Sequence, residues 1–281
     1  MIDADIHTLY KSDFYRILDF KCRCTECCTS KPEYSESFSI SFIRKGNFIF
    51  NTFRNSHDSY SGRVLLTKPG YERTVRHAHA VPDECTIFDF TDSFYKEIID
   101  SYPSIKFLLN NDAHSSLIKS PPEVEVLHQT VLSDIFKKRL NRLRMDSLVL
   151  EIIGNVFSEV DNDTQNFYVS ANLKKHHLIT VEDAKGFMLQ NYQDNISLLQ
   201  LARHCNVSPF HFSRIFKKIT SYSPHQFLTA VRLKNSELLI RETQGSIIDV
   251  ALQSGFNSIE HFTTSFSNKF GISPAAYRNS I

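Results

Sequence analysis

Leu201-Ala202, Asn206, Val207-Ser208, Phe212, Phe216, Ser221-Tyr222-Ser223-Pro224 and Phe227 are followed, in the same order, by Val250-Ala251, Gly255, Phe256-Asn257, Phe262, Phe266, Gly271-Ile272-Ser273-Pro274 and Tyr277. The offset is 49 residues at the small residue and the turn, and 50 from the phenylalanines onward. Self-similarity at that period marks a duplicated supersecondary unit and sets the architecture before any other reading. Each copy is a helix, a tight turn and a second helix, the geometry that lays a helix into the major groove. Two such units side by side predict a DNA-binding protein.

The residue types fit that geometry. Ala202 and Ala251 let the second helix cross close over the first. Asn206 and Gly255 stand at the turn, where a left-handed backbone is needed and these two types tolerate it. Val207 and Phe256 plug the space beneath. Phe212 and Phe216, like Phe262 and Phe266, are four apart and face inward. Helix starts are marked by Ser197 with Gln200 and Ser246 with Asp249, which read as capping boxes. Ser208-Pro209, Ser223-Pro224 and Ser273-Pro274 place a capping hydroxyl before a proline at the first helical position. Seven helices are predicted, at about 180–192, 197–205, 208–219, 224–241, 247–254, 258–269 and 274–279. The outward face of the first unit then carries Phe210, His211, Ser213, Arg214, Lys217 and Lys218. That of the second carries Ile259, Glu260, Thr263, Thr264 and Ser267.

Leu201-Ala202, Ser208, Phe212-Ser213-Arg214-Ile215-Phe216-Lys217-Lys218, Val250-Ala251, Gly255-Phe256, Phe262, Phe266, Phe270-Gly271-Ile272-Ser273-Pro274 and Tyr277-Arg278 together resemble the AraC/XylS family signature. The resemblance covers about residues 178–281. It implies two helix-turn-helix units bridged by a long helix, binding consecutive major grooves, and transcriptional control in a bacterium. It places base-reading positions at Phe210, Ser213 and Arg214, and at Ile259, Glu260 and Thr264. Thr264 and Ser267 stand where that family often has basic residues, so weaker phosphate binding is expected of the second unit. Ser236 replaces a frequent alanine on the bridging helix. The resemblance further implies an N-terminal cupin-like effector domain with dimerisation helices, hence an unidentified small-molecule effector, a homodimer, a double-stranded DNA operator and RNA polymerase as partners.

Charge agrees with a basic reading half. The net charge of +1 divides into +5 from Ala171 onward, where twelve Lys/Arg face seven Asp/Glu, and −4 in the remainder. No apolar run reaches the ~18 residues of a membrane span, and Met1-Ile2-Asp3-Ala4-Asp5 is acidic. A cytoplasmic, non-enzymatic protein without membrane attachment is expected.

Residues 36–91 read as β structure. Phe38–Phe42 alternates, Lys45-Gly46-Asn47 turns, and Phe48–Phe53 resumes. Val64–Thr67, Glu72–His77 and Thr86–Phe90 are further strand candidates. The fold class expected is α+β: a cupin-like antiparallel barrel with following helices (1–165), a linker (166–175) and an all-α domain with two helix-turn-helix units (176–281). Asp92–Asp100, Glu123–Phe136 and Leu143–Val160 read as helices. In the last, Leu148, Ile152 and Val156 beside Val149, Ile153 and Phe157 make an apolar stripe wide enough for the barrel and a second subunit.

Cys22, Cys24, Cys27 and Cys28 put four thiols into seven residues. No cofactor motif stands out, but this cluster leaves open a bound metal ion or a redox switch, and with it a metal- or thiol-responsive regulator. So short a loop is cramped for a full tetrahedral set, so a ligand from His77, His79 or Cys85 is considered. Lys21 and Arg23 flank the first thiol and would lower its pKa. An inert arm is the competing reading. A self-alkylating thiol repair enzyme is disfavoured, because no Pro-Cys-His-Arg motif is present. No carboxylate follows the His77/His79 pair within its own strand.

Overall fold

The structure, a computed structural model, describes residues 4–23, 29–53, 55–77, 82–162 and 169–281. It divides into two compact units. The first holds residues 1–120 and 131–166, the second residues 121–130 and 167–281.

The first unit is built on β1 (Ala4–Lys11), β2 (Tyr15–Cys22), β3 (Glu33–Tyr34), β4 (Phe38–Lys45), β5 (Asn47–Thr52), β6 (Ser56–Tyr60), β7 (Arg63–Thr67), β8 (Glu72–His77) and β9 (Glu84–Phe90). Helices α1 (Asp92–Ser101) and α2 (Lys106–Leu109) and strand β10 (Ser115–Lys119) follow. Helix α3 (Pro122–Phe136), whose residues up to 130 belong to the second unit, comes next, then α4 (Arg142–Asn162). Every strand pairing is antiparallel. The strands form a six-stranded sheet, β1-β2-β9-β4-β7-β10, and a four-stranded sheet, β3-β8-β5-β6. Ile43, Phe48, Phe50, Leu65, Val75 and Cys85, drawn from both sheets, make one buried cluster. The α+β class is as expected, but the barrel is not closed. Among the described residues each sheet keeps two edge strands, so the two sheets stack as a sandwich.

The expected strands from 38 to 90 are present, each within a few residues. Gly46, at φ +91°, makes the turn between β4 and β5. Five strands, β1, β2, β3, β6 and β10, lie outside the strand candidates read from sequence. β1 is an edge strand with no alternating apolar residues, β2 carries buried residues mainly at Tyr15, Ile17 and Cys22, and β10 is only five residues long.

The outer face of the large sheet is covered by helices of the same unit. Phe38 stacks on Tyr95 of α1 at 4.7 Å and meets Phe157 of α4 at 6.3 Å. Leu148, Val149, Ile152, Ile153, Val156 and Phe157 are all buried. The apolar stripe of α4 is therefore consumed within its own unit, and it is not the surface left for a second subunit. Leu143 and Leu150 are the exposed apolar residues of this helix.

The second unit is helical, with α5 (Ala171–Gln190), α6 (Leu198–His204), α7 (Pro209–Thr220), α8 (Pro224–Glu242), α9 (Ile247–Gln253), α10 (Ile259–Phe270) and α11 (Pro274–Asn279). α5 begins inside the stretch expected as linker. Ser170 accepts the Leu173 amide and starts the helix nine residues before the predicted position. Lys185 of α5 is buried between Glu125, at 2.6 Å, and Glu182, at 3.1 Å. Burial alone would lower its pKa, and the two carboxylates outweigh burial and raise it. No helix among the described residues is long and apolar enough to cross a membrane.

Candidate nucleic-acid interface

Beyond Ser170 on α5, six serine caps set helices α6 to α11 of this unit. Ser197, Ser223 and Ser246 form full capping boxes with Gln200, Gln226 and Asp249. Ser208, Ser258 and Ser273 accept the amides of His211, His261 and Ala276. Each satisfies a helix N–H that would otherwise face no partner, so α6, α7, α8, α9, α10 and α11 start within a residue or so of the positions read from sequence.

The two turns have the expected left-handed backbone, φ +55° at Asn206 and +83° at Gly255. Gly255 answers a second demand. A Cβ there would lie 2.3 Å from the Tyr192 carbonyl oxygen and 2.9 Å from Arg232 Nε. Arg232, on α8, donates to the Tyr192 carbonyl at 2.8 Å and to the Asp194 carbonyl at 2.7 Å. The close approach of the second turn to that clamp is invisible in the sequence, because the partners lie 40 and 38 residues apart.

Ala202 and Ala251 are buried at the helix crossings, and Ser208 is exposed as a cap. In the first unit Phe212 and Phe216 pack inward, and Phe216 meets the edge of Phe227 on α8 at 5.6 Å. In the second, Phe256, Phe262 and Phe266 join Leu233, Ile240, Val250 and Ala251 in one core. Each reading unit thus packs on its own stretch of α8. Tyr277 closes the end of the chain, donating to Glu237 of α8 at 2.6 Å, while Arg241 donates to its hydroxyl. Glu237 also holds Lys234 at 2.6 Å, both side chains being buried.

What the packing leaves outside is the candidate interface. On α7, Phe210 is 81% exposed, and Arg214, Lys217 and Lys218 are exposed. His211 and Ser213 are half-buried between them. His211 meets the His177 ring of α5 edge-on at 5.0 Å, and Arg214 Nη2 lies 3.4 Å from His211 Nδ1. Burial, with His211 and His176 adding charge, lowers the pKa of His177. Sequence reading missed these α5 histidines, since nothing local ties them to α7.

On α10, Glu260 and Thr264 are exposed and Thr263 is half-buried. Ser258 donates to Glu260 at 2.6 Å and, with the backbone amide, holds its carboxyl below the usual range. Ile259 differs from expectation. It is the first residue of α10, partly buried and packed against the second core. Lys269, the basic residue in the last turn of α10, is paired with Glu123. The two heads are therefore unequal in charge.

A helix-turn-helix family model matches residues 201–280, from the first helix pair to the terminal Tyr277-Arg278. The chain carries an AraC/XylS-type helix-turn-helix domain. This AraC/XylS-type domain has both helix pairs and the bridging α8 that the resemblance implied. The melibiose operon regulatory protein of Escherichia coli (strain K12) is 27% identical over 189 residues, covering 63% of this chain and 62% of that protein. The chain thus matches less than two thirds of that relative's length. The Msm operon regulatory protein of Streptococcus mutans serotype c is 29% identical over 263 residues, 92% of this chain and 90% of that protein. Among solved structures, the C-terminal domain of AraT, a response regulator from Geobacillus stearothermophilus, is 27% identical over 36% of this chain and 85% of that chain, with a TM-score of 0.35.

The cysteine expectations fall partly outside the described residues, which omit Cys24, Cys27, Cys28 and His79. Cys22 is described and buried at the end of β2. Lys21 lies 3.5 Å from Asp19 and Arg23 2.5 Å from Asp5, so each flanking cation has a carboxylate beside it. Cys85 lies in the apolar core of the sandwich, where burial pushes its thiol up to about 12. Cys205 is partly buried, with its Sγ 3.4 Å from the Thr180 carbonyl oxygen.

Proposed function

We propose that this protein is a sequence-specific DNA-binding transcriptional regulator, controlled by a small-molecule effector held in the β-sandwich unit and acting without enzymatic chemistry. The observation that carries the reading is the division of α7: Phe212, Ile215, Phe216 and Ile219 are buried, while Phe210, Arg214, Lys217 and Lys218 stand clear. A helix so divided presents side chains to base edges and phosphates without disturbing its own core. The names of the operon regulatory relatives favour the same activity.

The working form is a cytoplasmic homodimer that contacts RNA polymerase at its operators. With the α4 stripe buried, the subunit contact would fall on exposed apolar residues such as Leu143 and Leu150. Footprinting of the purified protein on genomic DNA tests the central claim. Protected sites spanning two successive major grooves are expected. Protection of a single groove, or none, would overturn the twin-head reading.

A further inference from the structure

His177 on α5 and His211 and Arg214 on α7 line up as a chain of three side chains at the first reading helix. The His177 ring meets His211 edge-on, with centroids 5.0 Å apart, and Arg214 Nη2 lies 3.4 Å from His211 Nδ1. Spaced i, i+3 on the helix, His211 and Arg214 are neighbours on one face. We propose that His211 is a positioning residue for operator reading. While neutral it accepts a hydrogen bond from Arg214 and fixes the guanidinium, and its protonation lets the arginine go, so that sequence selectivity falls in acid. This role rests on the reading of α7 proposed above.

The chemistry of the two groups fixes the protonation state of the contact. A guanidinium has N–H donors and no acceptor. Nδ1 of His211 can therefore meet Arg214 only with its lone pair free, which places the ring proton on Nε2. A protonated imidazole is a donor at both nitrogens. It would face Arg214 with N–H against N–H and one positive charge against another, so the contact does not survive protonation. The tether matters because an exposed arginine surrenders rotamer freedom when it docks on a base. One held beforehand surrenders less.

Among the described residues, His177 of α5 and Arg214 of α7 are the charged or titratable groups that meet His211, and none from α6 or α8 does. His177 is half-buried, and His176 lies beside it on α5, the ring centroids 6.3 Å apart. Burial, and after it the charges of His211 and His176, lower the pKa of His177, so this ring stays neutral further into acid than an ordinary histidine. The second reading helix supplies a comparison. His261 holds the matching place on α10, its amide on the Ser258 cap as that of His211 is on Ser208. Its ring meets Phe256 at 5.6 Å, and three residues later stands Thr264 instead of an arginine. The second head has the histidine without a cation to hold, so the device belongs to the α7 head alone.

Two measurements on the full-length protein test this. Without DNA, long-range proton–nitrogen correlation of 15N-histidine protein at pH 8 should show His211 as the Nε2–H tautomer, its signal assigned by loss in His211→Asn. With DNA, affinity is measured from pH 8 to pH 5.5 at constant ionic strength, on a duplex carrying a footprinted site and on its scrambled counterpart. Added histidine charge strengthens binding to both duplexes, so the ratio of affinities isolates base reading. That ratio should fall about fivefold in acid, the scale of one hydrogen bond. His211→Leu should show the lowered ratio already at pH 8. His211→Asn, with a neutral acceptor in place of Nδ1, should exceed His211→Leu and show no fall. Arg214→Ala should show no fall either, and His261→Asn should fall as the parent does. Both His211 substitutions keep the backbone amide that Ser208 holds. An Nδ1–H tautomer at pH 8 would overturn the role of His211. So would a fall that persists in His211→Asn or Arg214→Ala, or that disappears in His261→Asn. A specific preference that ignores pH would overturn it and leave DNA reading intact. Equal affinity for both duplexes at every pH would remove DNA reading itself, and the role of His211 with it.

Discussion

Arg214 is exposed on α7 six residues after the Ser208 cap, while its neighbours Phe212, Ile215 and Phe216 are buried. Arg214→Ala should therefore cost specific operator binding about 1–3 kcal/mol, the scale of one bidentate guanine contact, with folding stability unchanged. Binding isotherms on specific and scrambled duplexes check this, and equal loss on both would demote the arginine to a phosphate contact. His57 behaves differently, because it lies inside the sandwich, with Nε2 3.0 Å from Ser115 Oγ. Burial, outweighing that hydrogen bond, lowers its pKa. The unfolded chain then takes up this proton first as the solution is acidified. The stabilising contribution of neutral His57 is full above the ordinary histidine range and is lost as pH falls through the lowered value. Urea melts at pH 7.5, 6.5 and 5.5 should show a smaller decline for His57→Gln than for the parent protein. Identical declines would mean that other groups carry the acid sensitivity.

Among the elements, the second helix-turn-helix turn tolerates least. Gly255→Ala meets both a left-handed backbone and a Cβ 2.3 Å from the Tyr192 oxygen, so destabilisation of upwards of about 2 kcal/mol is expected. Asn206→Gly, at the matching turn of the first unit, should change stability by less than about 1 kcal/mol, because the replacement tolerates the same backbone. Denaturant midpoints of the two variants make the comparison. Legibility divides along the same line. Caps, turns and inward phenylalanines are local, so helices α6 to α11 could be placed from Ser197, Ser208, Asn206 and their counterparts. β1 could not, because an edge strand buries too little to alternate. Asp83, whose Oδ2 lies 2.7 Å from His77 Nδ1, was missed because only the pairing of β5 with β8 and of β4 with β9 brings the loop before β9 to that histidine. The start of α5 was missed because Ser170 caps a first turn, Ala171-Asn172-Leu173-Lys174, that has no apolar period of its own.

For the molecule as a whole, the charge asymmetry of the two heads should be measurable as counterion release. Replacing Lys217 and Lys218 with alanine should lower the slope of log K against log salt by about 2, since each phosphate contact contributes about 0.9. Lys269→Ala should leave the slope unchanged, because that lysine is engaged by Glu123. A drop of similar size in both variants would show that the pair opens on DNA. The bridging helix carries a different consequence. Its 19 residues at about 1.5 Å each give a strut of about 28 Å, gripped at one end through Phe227 and at the other through Leu233 and Ile240. Such a strut makes the domain a caliper with a fixed jaw opening. One inserted base pair between subsites turns the far groove by roughly 34–36°. A caliper cannot follow that rotation, so operators lengthened by a single pair should be held by one jaw only, with the stronger, α7 side retained and the α10 side swinging free of its bases.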